Sequence, residues 1–258
     1  MDCSEKRELK EFLEEKARQY NQADFIETDP VSIPHSFTCE YDIEISALLA
    51  ATIAWGQRKT IIRNARYMME LMGHSPHDFI MNFSESDLLP LMDFRHRTFN
   101  GEDLVFFVRA LNNIYRNHGG LKKVFASQYI EGGSVFHAIC RFRDIFLSVP
   151  GPRRTAKHIS NPEAGSPAKR INMFLRWMVR RDSNGVDFGI WKDIDQKALQ
   201  IPLDVHTGNV SRKLSLLKRK QNDWKAVEEL TGVLRSFDHA DPVKYDFALF
   251  GLGVFEKF

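Results

Sequence analysis

GSPAKR at residues 165–170 and IPLDVHT at residues 201–207 are the two segments that decide the fold of this chain. The first is a turn with Gly and Pro, and the second is an extended apolar run; each leads into an apolar pattern at helical spacing. Lys169 therefore lies in the first turn of one predicted helix, and Asp204 lies at the start of another, 35 residues further on. Lysine and aspartate are residue types that nucleophilic and acid–base chemistry use.

Apolar residues recur at helical spacing along the whole chain, and no segment shows the sustained alternation of a strand. The predicted helices cover residues 5–20, 43–55, 61–72, 101–117, 121–130, 135–149, 168–180, 205–217, 224–237 and 242–255. Residues 43–55 are nearly all apolar, which is typical of a central core helix. Residues 21–37 read as a loop, and residues 150–162, which are polar and contain prolines, read as a linker. The pattern predicts an all-α fold.

The composition excludes several classes of protein. The chain has 258 residues, of which 43% are hydrophobic and 27% charged, as is ordinary for a globular protein. Its longest apolar run is too short to span a bilayer, and its first residues lack the apolar core of a signal peptide. We therefore expect a cytoplasmic protein without membrane contact. Cys3, Cys39 and Cys140 fit no disulfide framework, zinc pattern or iron–sulfur cluster, so no metal or other cofactor is predicted.

The net charge of +2 conceals an uneven distribution. Residues 151–221 contain fifteen Lys and Arg against six Asp and Glu, whereas the rest of the chain is acidic. A basic segment on a nearly neutral chain can form a surface that faces nucleic acid. A solvated helical face would produce the same count.

Lys169 has two interpretations. The free N–H groups of a helix start favour anions, and burial beside this positive end favours the neutral, nucleophilic amine. Lys169 could equally be a surface lysine beside Arg170.

Asp204 also has two interpretations. An Asp before Val205 is a helix N-cap without any chemistry. A carboxylate that emerges from an apolar run could instead stabilise a cation or transfer a proton. His206 is a third candidate for the site, though not as a metal ligand.

The segment Gly165–Arg170 resembles the G-x-G-x-K-T hairpin of the helix-hairpin-helix DNA glycosylases. PLDVHT at residues 202–207, followed by Val210, Arg212 and Leu214, resembles the P-V-D-T-H-V-x-R signature of that superfamily. The resemblance implies that Lys169 attacks the sugar C1′ atom and that Asp204 supports it as acid/base and cation stabiliser. The wide spacing of the two residues is most similar to the archaeal 8-oxoguanine glycosylase branch.

A second similarity lies at residues 47–72, which resemble the helix pair whose junction carries L-L-x-Q-x-T in those enzymes. This match implies that Gln57 faces the target base, whereas a simple cap of the helix junction is the alternative. Trp55 and Trp191 are candidate walls for a pocket, because an extruded base needs an aromatic or apolar sandwich.

The hairpin departs from the superfamily pattern at two positions. Pro167 replaces the second glycine, and Arg170 replaces the threonine. We therefore expect phosphate contacts from arginine side chains as well as from the turn. The predicted set of phosphate-contacting residues is Arg153, Arg154, Gly165, Arg170 and Arg212.

The whole chain, including AWGQRK at residues 54–59 and DPVKYDFALFGLG at residues 241–253, also resembles DUF2400, a bacterial family of unknown function. That resemblance implies no activity. The glycosylase resemblance implies a single glycosylase-like unit of two helical lobes with a cleft between them. Residues 1–40 and 150–258 would form one lobe, and residues 41–149 the other.

The resemblance implies a DNA base-excision repair glycosylase for duplex DNA with a damaged base, by analogy an oxidised purine. Because a lysine amine can form a Schiff base with the sugar, an additional lyase activity is possible in such an enzyme. Two alternatives stay open: a non-catalytic nucleic-acid-binding protein with the glycosylase fold, and an all-α scaffold whose basic segment binds a protein.

Overall fold

The computed structural model describes residues 3–258, and these are mostly helical, which confirms the predicted all-α fold. Two strands of two residues each, β1 (Arg95–His96) and β2 (Phe99–Asn100), pair antiparallel. The α-helices are α1 (Cys3–Tyr20), α2 (Ala23–Glu27), α3 (Glu40–Thr52), α4 (Arg58–Leu71), α5 (Pro76–Asn82), α6 (Gly101–Asn117), α7 (Leu121–Gly132), α8 (Val135–Leu147), α9 (Lys169–Val179), α10 (Val205–Lys213), α11 (Trp224–Phe237) and α12 (Tyr245–Val254).

The chain divides into two compact units. Unit 1 consists of residues 1–25 and 162–258, and unit 2 consists of residues 26–161. Residues 26–40 and 150–161, which the sequence placed with the hairpin lobe, therefore group with the other helices instead. None of the helices in the part of the chain that the structure describes is long and apolar enough to cross a membrane.

Unit 1 is built around α12, which packs against α1 and α10. The helix is apolar on most sides, so it is buried rather than amphipathic. The core of unit 1 consists of Leu13, Ala17, Ile201, Leu203, Val210, Leu216, Leu217, Ala226, Val227, Leu230, Leu234, Phe237, Tyr245, Ala248, Leu249 and Leu252. Elements from both ends of the chain thus share one core.

Gly251 allows α1 and α12 to approach closely. A Cβ atom added at this glycine would lie 2.1 Å from Cδ2 of the Tyr20 ring. That separation is far below van der Waals contact, so any side chain at residue 251 would displace the ring.

We predict that Gly251→Ala lowers the free energy of unfolding by about 2 kcal/mol, because the added methyl group overpacks this contact. Gly232→Ala is the matched control: Gly232 lies inside α11, and its added Cβ would meet no atom within 4 Å. This control should raise stability by about 0.5–1 kcal/mol through helix propensity alone. Thermal and urea unfolding would measure both changes, and equal stability of the two variants would refute the close approach.

Unit 2 is organised around α3, whose residues 43–52 are all buried, as expected for a central core helix. Residues 30–36 form two short 3₁₀ helices that pack against α3. The segment read as a loop is therefore ordered and contributes Val31 and Ile33 to the core. The proline at the start of each 3₁₀ helix explains why no regular helical pattern was visible there.

The segment predicted as a linker is folded onto α6 of unit 2. Residues 153–158 form a 3₁₀ helix in which Thr155 and His158 are buried. The hydroxyl of Thr155 donates to Oδ1 of Asp103 at 2.7 Å, and Arg154 donates to Oδ2 at 2.9 Å. Asp103 is fully buried and also closes a capping box with Asn100 at the start of α6. A carboxylate held by this many donors fixes residues 153–158 in place.

Helix α10 ends at Lys213, four residues before the predicted end at Leu217. Ser215 adopts a left-handed conformation with φ of 57°, which a continuing helix excludes. The turn points the N–H groups of Leu216 and Leu217 at the carbonyl of Ser211, and both leucines enter the core of unit 1. Their apolar character therefore reflects burial after the helix and not helical continuation.

Candidate active site

Charged residues at the starts of three helices of unit 1 interact electrostatically at one buried carboxyl group, that of Asp246. Lys169 is the first residue of α9, Asp204 is the N-cap of α10, and Asp246 is the second residue of α12. Asp246 is 6% exposed. The charges of both Asp204 and Lys169 act on the Asp246 carboxyl group, so the two residues singled out from the sequence share a neighbourhood.

Burial raises the pKa of Asp246 to about 6, against the opposing charge of Arg176; the negative charge of Asp204 raises it further, and Lys169 lowers it. The guanidinium group of Arg176 is hydrogen-bonded to Asp246 Oδ2. A carboxyl group with this pKa exchanges a proton near neutral pH, which suits general acid–base chemistry. The sequence places Asp246 in the first turn of an apolar helix, which does not by itself distinguish a structural role from a place in a site.

Arg176 belongs to a buried network of ion pairs. Its Nε atom donates to Asp187 Oδ1 at 3.2 Å, and Arg180 NH1 donates to Asp187 Oδ2 at 3.0 Å. Arg180 also binds Asp241 and Asp182. Burial lowers the pKa of Arg180, but the charges of these carboxylates raise it more, so the guanidinium group is firmly charged.

The ring of Phe247 packs against both guanidinium groups of this network. Its ring centroid lies 4.3 Å from the guanidinium carbon of Arg176 and 5.3 Å from that of Arg180. Such cation–π contacts help to fix the orientation of the guanidinium groups. Arg176 lies in α9, and Arg180 follows one turn later as its C-cap. The network therefore holds the helix that starts at Lys169.

The turn before Lys169 is fixed by three hydrogen bonds. Gly165 has a φ of 85°, and its carbonyl accepts from the N–H of Trp224 at 3.1 Å. The Ser166 hydroxyl accepts from the N–H of Ala168, and Asn172 donates to the carbonyl of Pro167. Ala168 occupies the left-handed region with φ of 47°, a conformation that costs an alanine about 1–2 kcal/mol. These bonds therefore determine where Lys169 begins its helix.

A regular helix-hairpin-helix would need an α-helix directly before this turn. In the part of the chain that the structure describes, residues 159–168 form turns and extended backbone, and the preceding helix is the 3₁₀ helix at residues 153–158. The first helix of the expected motif is therefore absent from these residues. Pro162 and Pro167 disfavour a continuous helix here.

Asp204 caps its helix and keeps a second oxygen available. Its Oδ1 atom accepts from the N–H of Thr207 at 2.8 Å, as the capping interpretation predicted. Among the described residues, no group donates a hydrogen bond to its Oδ2 atom. Asn222 fixes the backbone by donating to the Asp204 carbonyl at 3.1 Å. The carboxylate is half-buried, so capping and chemistry are compatible at this residue.

The other predicted substrate contacts fall in different environments. His206 is exposed in the first turn of α10, beside Asp204. Trp191 is only 1% exposed and packs edge-on against Phe174 in the core. Trp191 is thus a buried residue, and its place in a pocket wall stays a prediction.

Gln57 and Trp55 belong to unit 2, at the junction between α3 and α4. Gln57 occupies the N-cap position of α4 and is exposed, but its side chain makes no capping hydrogen bond. Trp55 is half-buried, stacked on His158 and edge-on to His96. Burial lowers the pKa of His96, so this imidazole is neutral at physiological pH.

The predicted phosphate-contacting arginines divide into two groups. Arg153 is exposed, and Arg170 is half-buried with its pKa lowered by burial to about 10. Arg154 and Arg212 are engaged within the protein: Arg212 donates to the Arg219 carbonyl at 2.8 Å and to Asn222 at 2.6 Å. Arg154 donates to Asp103, Asn100 and the Thr98 carbonyl. The hydrogen bonds of Arg154 and Arg212 thus fasten neighbouring loop segments within the protein.

We predict that Arg154→Gln lowers the free energy of unfolding by about 1–2 kcal/mol, because Asp103 would lose a charged donor in a buried site. Arg153→Gln is the matched control and should change stability by less than about 0.5 kcal/mol, since Arg153 is exposed. Urea unfolding of both variants measures the difference. Equal stability would show that Arg154 is not a structural residue.

The family comparison covers nearly the whole chain. A family model described as "Protein of unknown function (DUF2400)" matches residues 29–255. The chain belongs to the DUF2400 family. No curated protein and no solved structure matches it. The described residues also contain no group of three or more His, Cys, Asp or Glu side chains that could hold a metal ion. The function of this DUF2400 protein must therefore be argued from its site.

Proposed function

We propose that this protein is a DNA base-excision repair glycosylase with lyase activity, in which Lys169 is the nucleophile. The observation that supports the proposal is that the charges of Lys169 and Asp204 both act on the buried carboxyl group of Asp246. These residues lie in the two segments that resemble the glycosylase superfamily, although they are far apart in the sequence. An oxidised purine is the substrate class that the resemblance favours, by analogy.

In the proposed reaction, Lys169 gives its ammonium proton to Asp246, and the amine so formed attacks C1′ of the damaged nucleotide after the base has been flipped out. The new N–C1′ bond replaces the glycosidic bond, and the base leaves with the electron pair and is protonated. Opening of the sugar ring then gives a Schiff base, which β-elimination and hydrolysis resolve. No oxidant or reductant is consumed.

The two carboxyl groups have separate tasks in this scheme. In this proposal, the Oδ2 atom of Asp204 stabilises the positive charge that develops on the sugar. Asp246, with a pKa of about 6, accepts the proton that Lys169 releases. Arg176 fixes the Asp246 carboxylate in place through their ion pair.

The first test is borohydride trapping. The full chain is incubated with duplexes that contain 8-oxoguanine, uracil or an abasic site, and borohydride reduces any Schiff base to a stable adduct. We expect an adduct with the wild type and none with Lys169→Gln, because only an amine can form the imine. Lys192→Gln, which removes an exposed lysine of the same unit, should trap as well as the wild type.

An adduct that persists in Lys169→Gln would assign the nucleophile to another amine. The absence of both adduct and base release with the wild type, alongside normal DNA binding, would reject the enzyme. That outcome would support the non-catalytic nucleic-acid-binding protein.

The second test is the pH dependence of the single-turnover rate of base release. We predict that the wild-type rate rises about tenfold per pH unit below pH 6 and levels off above it, since Asp246 acts as a base only when ionised. Asp246→Asn should lose this inflection and fall roughly 100-fold at pH 7.5. Thermal unfolding of the variant shows whether it is folded, and Asp246→Glu should restore part of the rate. An unchanged pH profile in folded Asp246→Asn would exclude the assigned role.

A further inference from the structure

Unit 2 carries a row of basic side chains on α4, outside the residues discussed so far. Lys59, Arg63 and Arg66 are separated by four and three residues, so they lie on the same face of the helix. All three are exposed. The buried residues of α4, among them Ile61 and Met68, face the interior of unit 2.

The β1–β2 hairpin adds two more cations beside this row. The Arg97 guanidinium atom NH1 lies 3.2 Å from the position that a Cβ atom would take on Gly56, just before α4. The carbonyl of Arg95 accepts from the Asn64 side chain at 3.3 Å. Arg95 and Arg97 are both exposed. We call Lys59, Arg63, Arg66, Arg95 and Arg97 the α4 basic surface.

Carboxylates are scarce along the α4 row. The sequence contains no Asp or Glu between Glu44 and Glu70. Within residues 3–258, none of the five cations forms an ion pair with a carboxylate. Three other cations of unit 2 are paired with carboxylates: Arg109 with Glu85, Lys122 with Glu40, and Arg141 with Asp144. Five uncompensated cations on one surface indicate a polyanionic partner.

We propose that the α4 basic surface binds the phosphate backbone of DNA. The choice of DNA rests on the proposed function, but the surface consists of other residues than the Lys169 site and would act without chemistry. Lys59 to Arg66 covers about 10 Å of helix axis, a length over which one DNA strand presents about three phosphates. Contacts of this kind hold DNA irrespective of its sequence.

The same charges would attract an anionic membrane, but α4 lacks the exposed apolar face of a membrane-binding helix. Such helices expose Leu, Phe or Trp opposite or beside the basic face. Among the described residues of α4, Tyr67 is the one large hydrophobic side chain that is exposed. The observations therefore favour nucleic acid.

Fluorescence anisotropy of a short duplex, titrated with the full chain between about 50 and 200 mM KCl, tests this surface. The variant is Lys59→Gln, Arg63→Gln, Arg66→Gln, which keeps good helix formers on α4. Its affinity should fall roughly 10- to 100-fold, and its slope of log affinity against log salt should fall by about three units. The control is Arg109→Gln, Lys122→Gln, Arg141→Gln, which removes the same charge from paired positions of the same unit and should retain wild-type affinity.

Each result decides between distinct claims. Wild-type affinity and salt slope in the α4 variant would overturn the surface and leave the proposed enzyme standing. Equal losses in the variant and the control would show a net-charge effect and also overturn it. No binding by the wild type at low salt would overturn the proposed function as well. If the wild type binds phosphatidylserine vesicles but not the duplex, and the α4 variant loses this binding, the partner of the surface is a membrane and not DNA. Circular dichroism confirms that each variant is folded.

Discussion

The ion pair between Arg176 and Asp246 is the interaction on which the rest of the candidate site depends. It joins the middle of α9 to the first turn of α12, and both residues are buried. Removing two charges from water costs several kcal/mol per ion, which the pair only partly recovers. Its contribution is therefore better described as fixing the geometry of the helices than as adding stability.

The network around this pair contains more acid than base. Arg176 and Arg180 face four carboxylates, those of Asp182, Asp187, Asp241 and Asp246. Of these four, Asp187 and Asp246 are buried, and burial raises the pKa of Asp241 and Asp246 although the charges of Arg180 and Arg176 oppose it. Asp246, with a pKa of about 6, can therefore exchange a proton near neutral pH, and the charge of Lys169 acts on this carboxyl group.

Much of the fold was accessible from sequence, because the period of apolar residues reports helices wherever they pack against a core. Elements that are too short to show a period could not be predicted in this way. They are the two-residue strands at Arg95–His96 and Phe99–Asn100 and the 3₁₀ helices at residues 30–36 and 153–158. In the site, Lys169 and Asp204 were predicted from local turn and cap signals. Asp246 lacked such a signal, because its role depends on Arg176, 70 residues away.

The division of the chain has a consequence for the order of folding. Unit 2 is one continuous stretch, so it can fold as soon as it leaves the ribosome, whereas unit 1 needs segments that are synthesised before and after unit 2. Lys16 and Glu256, which form an ion pair at 2.7 Å, are 240 residues apart. Bringing such distant residues together is slow in an unfolded chain, but an already folded unit 2 shortens the flexible loop that must close. Until then α1 exposes its apolar side, so the nascent chain is most vulnerable to aggregation at this stage of synthesis.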